Sequence, residues 1–391
     1  MILRAAGEKI RELASGFPAV VVTGPRQSGK TTLVKHLFPD KPYLLLEEPD
    51  TRRFAEEDPR SFLGQYLDKG AIIDEAQYVP ELFSYLQGIL DQSESPGRFI
   101  LTGSQNFLMM AKISQSLAGR IGIIKLLPLS MNELNQAGQE CDQYEEYLYQ
   151  GFYPRLYNST ILPSDFYSSY VQTYLERDLT QLKQVHSRST FHIFLKMCAN
   201  RIGQIVNFTS LGADCGISHN TAKEWISLLE TSGIAFLIKT HHKNYNKRLI
   251  QMPKLYFSDP GLAAYLADIK SADEIVTHPL KGGLFETLII GEFLKYRYNR
   301  GLDSNLYFWR DKTGHEIDCI IEKSIHETIS VEIKAGRTIA GDFFKNIHYY
   351  NRLSGQSPDR SFIVYGGDQD QNRSDGRIIG YSHLDSIFEF L

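Results

Sequence analysis

One eight-residue loop, Gly24-Pro25-Arg26-Gln27-Ser28-Gly29-Lys30-Thr31, constrains this chain more than any other feature. Ahead of it runs Ala19-Val20-Val21-Val22, the unbroken apolar stretch of a strand buried on both faces. Behind it, residues 31–38 carry helical spacing. The loop fits G-x-x-x-x-G-K-[ST] at every fixed position, in the strand, loop and helix context that the pattern demands. Its glycines let backbone N–H groups turn inward around phosphates, and the helix that follows presents its positive end to them. We therefore assign Gly24, Pro25, Arg26, Gln27, Ser28, Gly29, Lys30, Thr31 and Thr32 to binding of ATP with Mg2+. Lys30 is expected on the β and γ phosphates and Thr31 on the metal ion.

Further apolar runs at 43–46, 71–73, 99–101 and 121–124 alternate with helix-length stretches, which reads as a parallel sheet with crossover helices. The second run ends in Asp74 and Glu75. Asp74 is suited to hold Mg2+ through water and Glu75 to activate the attacking water. The third runs into Thr102 and Ser104, which either sense a γ-phosphate or simply terminate a strand. Arg120 precedes the last run and reads either as an arginine finger, to its own or a neighbouring subunit's nucleotide, or as an exposed structural arginine.

These stretches divide the chain into an α/β domain at 1–133, a Tyr-rich helical connector or lid at 134–190, a winged helix-turn-helix at 191–270 and an α/β domain at 271–391. In the third segment three helices, the last opened by Ser218 as N-cap, precede two strands. Net charge is -4, so no overall field draws the 391-residue chain to nucleic acid, and any such binding needs a local patch. One exists: Lys239, Lys243, Lys247, Arg248 and Lys254, with His241 and His242, lie in a stretch free of acids. Asn220 and Lys223 stand near the start of the preceding helix, where helix-turn-helix proteins touch base edges. DNA is the expected partner of this segment; winged helices also dock proteins, and a basic loop also occurs merely solvated. Cys141, Cys198, Cys215 and Cys319 form no C-x-x-C pair, and no apolar run reaches the length of a membrane span. The expected location is the cytoplasm, with a homo-oligomer as a candidate assembly.

The runs GPRQSGKTTL, IIDEAQ, LTGSQ and SLAGR, with GFYPRLY, YLERDL, GLFETLIIGEFLK, GHEIDCII and SVEIKAG, resemble the AAA-type ATPases of bacteria and archaea whose C-terminal part was named as a domain of unknown function. The resemblance covers essentially the whole chain. It implies an ATPase core, a winged-helix segment and a restriction-endonuclease-like fold at the C-terminus.

In the last segment Glu286 interrupts an apolar helical run, Asp318 lies within Glu316-Ile317-Asp318-Cys319, and Glu332 and Lys334 lie two apart on one strand face, with Val331 and Ile333 turned into the core. Pairing of the two strands would bring Asp318 to Glu332 and Lys334. Glu286, Asp318 and Glu332 are the candidate ligands of a hard cation, with Lys334 placed to orient a water or stabilise charge on a phosphate. Together with the order of elements, this set resembles the PD-(D/E)XK nuclease superfamily, except that Ile317 stands where its leading proline would be. The alternative is an ion pair on a fold without chemistry.

Overall fold

The computed structural model describes residues 1–92, 95–104, 116–175, 187–241, 252–324 and 327–391. Its chain divides into two compact units, one made of Met1–Ala137 with Thr231–Ile234 and Arg297–Asp303, the other of Gly138–Glu230, Ala235–Tyr296 and Ser304–Leu391.

In the first unit β1 (Ala19–Gly24), β2 (Tyr43–Leu45), β3 (Ala71–Asp74), β4 (Phe99–Ser104) and β5 (Ile121–Lys125) form a five-stranded sheet in the order β2-β3-β4-β1-β5, parallel throughout. The apolar runs follow from this placement, because every residue of β1, β3 and β4 is buried. Along β1, Val20 and Val22 face a core built with Leu33 and Val34 of the helix Lys30–Leu37, while Ala19 and Val21 face one built with Phe83 and Leu86 of the helix Leu82–Gln92. Insertion of β4 between β1 and β3 sets Thr102 and Ser104 between the phosphate loop and the acidic end of β3.

The second unit opens with short helices, then Arg188–Ala199, Phe208–Cys215 and His219–Thr231. Ser218 caps the last, its Oγ accepting from the Thr221 N–H at 3.1 Å. Next come β6 (Ala235–Thr240) and β7 (Lys254–Phe257), an antiparallel pair. These strands do not stand alone. With β8 (Leu306–Arg310), β9 (Glu316–Ser324), β10 (Glu327–Lys334), β11 (Ser361–Tyr365), β12 (Gln371–Arg373) and β13 (Gly376–Gly380) they form an eight-stranded sheet ordered β12-β13-β11-β10-β9-β8-β6-β7. The join is a short parallel pairing of Lys239 and Thr240 with Tyr307 and Phe308, so hydrogen bonding runs across the boundary expected at residue 270. β9 and β10 pair antiparallel, and the helix Lys345–Ser354 covers β9 and β11 with Ile347 and Tyr350.

The helical connector is latched by Asp259, which is fully buried. Its carboxylate caps the helix Pro260–Leu266 through the Leu262 N–H at 2.8 Å and also accepts from the Phe152 N–H and the Tyr167 hydroxyl, both at 2.6 Å. Gly151 makes room for this, since a Cβ there would lie 1.9 Å from the Tyr167 hydroxyl. This packing accounts for Gly151 and Phe152 of the GFYPRLY run. All four cysteines are free, and among the described residues no helix is long and apolar enough to cross a membrane.

Candidate functional site: a phosphate loop and a separate acid pocket

In the first unit the loop closes between β1 and its helix with Gln27 and Gly29 at positive φ, 62° and 92°. Gly24 is required by close approach, as a Cβ there would sit 2.1 Å from the Leu126 carbonyl oxygen. Lys30 is buried and its ammonium folds back onto two loop carbonyls, Gly24 O at 3.1 Å and Pro25 O at 2.8 Å. Burial, opposed by the nearby Glu75 and Asp74, lowers its pKa to about 8. Carbonyl dipoles hold an ammonium less firmly than a carboxylate does, so a phosphate outcompetes them.

Asp74 is the hub of this site. Its Oδ2 accepts from Thr31 Oγ1 at 2.8 Å and from the Tyr43 hydroxyl at 2.6 Å, and its Oδ1 accepts from Thr102 and, at 3.2 Å, from the Glu75 N–H. Thr31 and Asp74, the two expected magnesium ligands, are thus already adjacent, and this oxygen pair fits a hard cation. Mg2+ held there would neutralise phosphate charge. Glu75 adopts the left-handed conformation, φ 56°, which turns its side chain out of the strand direction, and Gln77 bridges it to Ser104, bonding Ser104 Oγ at 3.1 Å. Thr102 serves Asp74 directly, whereas Ser104 reaches Glu75 only through the Gln77 amide. Arg120 forms a two-pronged, solvent-exposed pair with Asp91 of the same chain.

Two contributors were not singled out from sequence. Tyr43 stands in sequence as part of an apolar strand, yet its hydroxyl reaches Asp74, and Lys35 stands 3.3 Å from its ring centroid. Arg4 donates to the Ser28 carbonyl at 2.6 Å and to the Leu127 carbonyl at 2.7 Å while paired with Glu133 at 3.1 Å, so it braces the phosphate loop from behind. A lone arginine in an N-terminal helix-forming stretch carries no local signal of that role.

The second unit gathers the four expected residues of the last segment around Asp318, and adds a fifth. Lys334 pairs with Glu332 at 2.6 Å. Asp318 Oδ2 accepts from the Ile333 N–H at 2.8 Å, just past the last paired residues of β9 and β10, and so replaces a ladder bond. Glu286, on the helix Lys281–Asn299, accepts from the Tyr256 hydroxyl at 2.5 Å. The fifth residue is Lys254. The sequence put it in the cationic patch; the structure buries it, with its ammonium 2.9 Å from Glu286, 2.5 Å from Glu316 and 3.9 Å from Asp318. Its strand lies in the sheet, which turns it inward. Glu332 departs from expectation as well: Val331 and Ile333 are buried as anticipated, but Glu332, on the opposite face, is buried too, at 1% exposure, beside Ile363 on the side that the helix Lys345–Ser354 covers.

Burial, with the charge of Asp318, raises Glu286 to about 7 against the pull of Lys254, and raises Glu332 to about 8 against that of Lys334. For Lys254 burial works against the charge, yet Glu286, Asp318 and Glu316 outweigh it and hold the ammonium above its ordinary value. Among the described residues no three His, Cys, Asp or Glu side chains are grouped to hold a metal ion. Elsewhere in this unit Asn220 and Lys223 lie exposed at the start of their helix, whereas Lys243, Lys247 and Arg248 fall outside the described residues.

A fully parallel sheet with a glycine-lined phosphate loop on one strand and paired acids on another is the arrangement of a P-loop ATPase domain. Residues 16–135 match the family described as AAA domain, while 141–273 and 281–384 match two domains of unknown function, DUF8612 and DUF4143. Uncharacterized proteins of Mycobacterium bovis and Mycobacterium tuberculosis are each 28% identical to the chain over 324 residues, 82% of this chain and 71% of theirs. Among solved structures, the Walker-type ATPase PABY2304 of Pyrococcus abyssi is similar at 14% identity and a TM-score of 0.44, over 68% of this chain and 96% of that one. A signal transduction ATPase with a tetratricopeptide repeat sensor from Pyrococcus horikoshii is similar at 12% identity and a TM-score of 0.24, over 74% of this chain and 46% of that one.

Proposed function

We propose that the chain binds and hydrolyses ATP with Mg2+ at the phosphate loop, and that nucleotide state governs its engagement of DNA through a winged-helix segment in the cytoplasm. The observation that carries the ATP reading is the hub at Asp74, bonded to Thr31 beside a lysine held only by backbone carbonyls. Lys30 would trade those carbonyls for phosphate oxygens, Thr31 and Asp74 would hold the metal ion, and Glu75 would take the proton of the attacking water. Arg120 is available to a neighbouring subunit's nucleotide, because an exposed pair such as the one with Asp91 opens readily.

The DNA reading is supported by the exposed Asn220 and Lys223 at a helix start and by the run containing Lys243, Lys247 and Arg248. Turnover with and without duplex DNA tests the coupling. Stimulation that weakens steeply with salt, and that falls in Lys243→Glu/Lys247→Glu, is the expected result; turnover indifferent to DNA at every salt concentration removes the coupling.

A second reading, an ATP-driven regulatory switch whose C-terminal domains, including the restriction-endonuclease-like domain of 271–391, bind partner proteins and cut nothing, is favoured by one observation: Lys254 occupies the midst of Glu286, Glu316 and Asp318. Nicking of plasmid in Mn2+, lost in Asp318→Ala, would restore the cleaving assignment of Asp318, Glu332 and Lys334.

A further inference from the structure

We propose that the ammonium of Lys254, and not a divalent metal ion, is the resident cation of the acid pocket in the second unit. A nuclease-like fold with a glutamate, an aspartate and a Glu-x-Lys strand implies a hard cation, and the residues present do not fit one. Mg2+ demands about six oxygens in near-ideal octahedral array and Ca2+ takes more. Here the acid oxygens surround a nitrogen instead. Glu286 Oε1 already accepts from both Lys254 and the Tyr256 hydroxyl, and Asp318 Oδ2 is committed to the Ile333 backbone. Glu332 Oε1 is buried without a hydrogen-bond partner, but its other oxygen, Oε2, is held by Lys334 at 2.6 Å.

Charge balance points the same way. Four carboxylates, Glu286, Glu316, Asp318 and Glu332, face Lys254 and Lys334, with Arg310 reaching Glu316 at 3.3 Å. A metal ion would have to expel an ammonium whose side chain is only 4% exposed, leaving it buried with no carboxylate partner, and a buried charge stripped of its partner is strongly unfavourable. The site is also shaped for this arrangement. Gly203 lines it at positive φ, and even a Cβ there would press to 3.2 Å from Glu286 Oε2. Lys254 and Tyr256 reach Glu286 from alternate positions of one strand, so a strand outside the nuclease-like element order locks that glutamate.

This inference is independent of the ATP and DNA readings, since metal binding is measured with neither ligand. The full-length chain carrying Asp74→Asn, which disables the phosphate-loop metal site, is titrated with Mn2+ and followed by electron paramagnetic resonance. No stoichiometric binding is expected at submillimolar Mn2+. Adding Lys254→Met is expected to create one site, bound at least tenfold more tightly; if that variant melts at a lower temperature, added Mn2+ should raise its melting temperature and leave that of the Lys254 chain unchanged. Two results overturn the proposal: one Mn2+ bound by the Lys254 chain and lost on Asp318→Asn, or a folded Lys254→Met chain that neither binds Mn2+ nor is stabilised by it. The first result does not require Lys254→Met to fold.

Discussion

Lys30 and Lys254 are both buried lysines near acids, and they are held in opposite ways. Lys30 rests on two carbonyl oxygens, and burial lowers its pKa to about 8. Lys254 rests on carboxylates that hold its charge firmly. A lysine satisfied only by dipoles has charge to offer an arriving phosphate, whereas one neutralised by acids has none. The difference separates a binding site from an internal anchor, although each is a lysine with nearby carboxylates.

Removing each lysine should break the comparison most sharply. Lys30→Ala is expected to cut ATP turnover by about 100-fold or more and to weaken nucleotide binding, as loss of a charge-stabilising group at a transition state does. Glu75→Gln should leave binding of a fluorescent ATP analogue nearly intact while turnover falls about 100-fold. Neither change should lower the melting temperature much. For Lys254→Ala the pattern inverts: turnover per folded molecule persists, and stability drops by about 3–5 kcal/mol because buried carboxylates lose their partner. Urea denaturation followed by tryptophan fluorescence measures it, since Trp225 and Trp309 both lie in the second unit.

A smaller effect separates the two sites by pH. Glu286 and Glu332 are raised from 4.5 to about 7 and about 8, so between those values the folded chain binds more protons than the unfolded one. Their contribution to stability is therefore full below about pH 4.5 and is lost as pH rises through 7 to 8. Lys30, lowered from 10.5 to about 8, has the opposite slope: the folded chain binds fewer protons there, and stability rises with pH across that window. Midpoints of urea denaturation at successive pH values should fall between 5 and 8, and Glu286→Gln with Glu332→Gln should flatten that fall. A slope unchanged by both substitutions would mean that the protons reside elsewhere.

The phosphate loop was legible because its parts are contiguous: spacing within eight residues sets the backbone, and flanking strand and helix patterns set the context. Asp318, Glu332 and Lys334 were legible as a group because alternation puts residues two apart on one face and β9 pairs with β10. Lys254 was not, since it closes an acid-free stretch rich in lysine, and its partners Glu286 and Glu316 lie more than thirty residues away. A signal was nevertheless present. Lys254 and Tyr256 share a face of a short strand whose other residues are apolar, and a lysine opening such a strand needs a buried acid. The continuous sheet was hidden for another reason. The pairing of β6 with β8 involves only two residues on each strand, and its partners are separated by β7, three helices and more than sixty residues of chain, so no local pattern encodes it.

The smallest effect concerns Tyr43, which makes Asp74 resemble the crowded acids of the other pocket. Its hydroxyl shares Asp74 Oδ2 with Thr31. Burial and this bond to Asp74 raise the phenol's pKa above its ordinary value, so it stays protonated and remains a donor at any physiological pH. A metal ion that coordinates Oδ2 must displace or share with that donor, and a hydrogen bond to a charged acceptor is worth roughly 1.5–3 kcal/mol, of which water regains part. Tyr43→Phe keeps the ring beneath Lys35 and deletes only the donor. The expected result is binding of Mg2+ with ATP tightened about fivefold, roughly 1 kcal/mol, with metal-free ATP binding unchanged. Calorimetry with and without Mg2+ distinguishes the two. If the variant instead binds Mg2+ with ATP more weakly, Tyr43 orients the carboxylate for the metal rather than competing for it, and Asp74 then belongs wholly with the poised site and not with the anchored one.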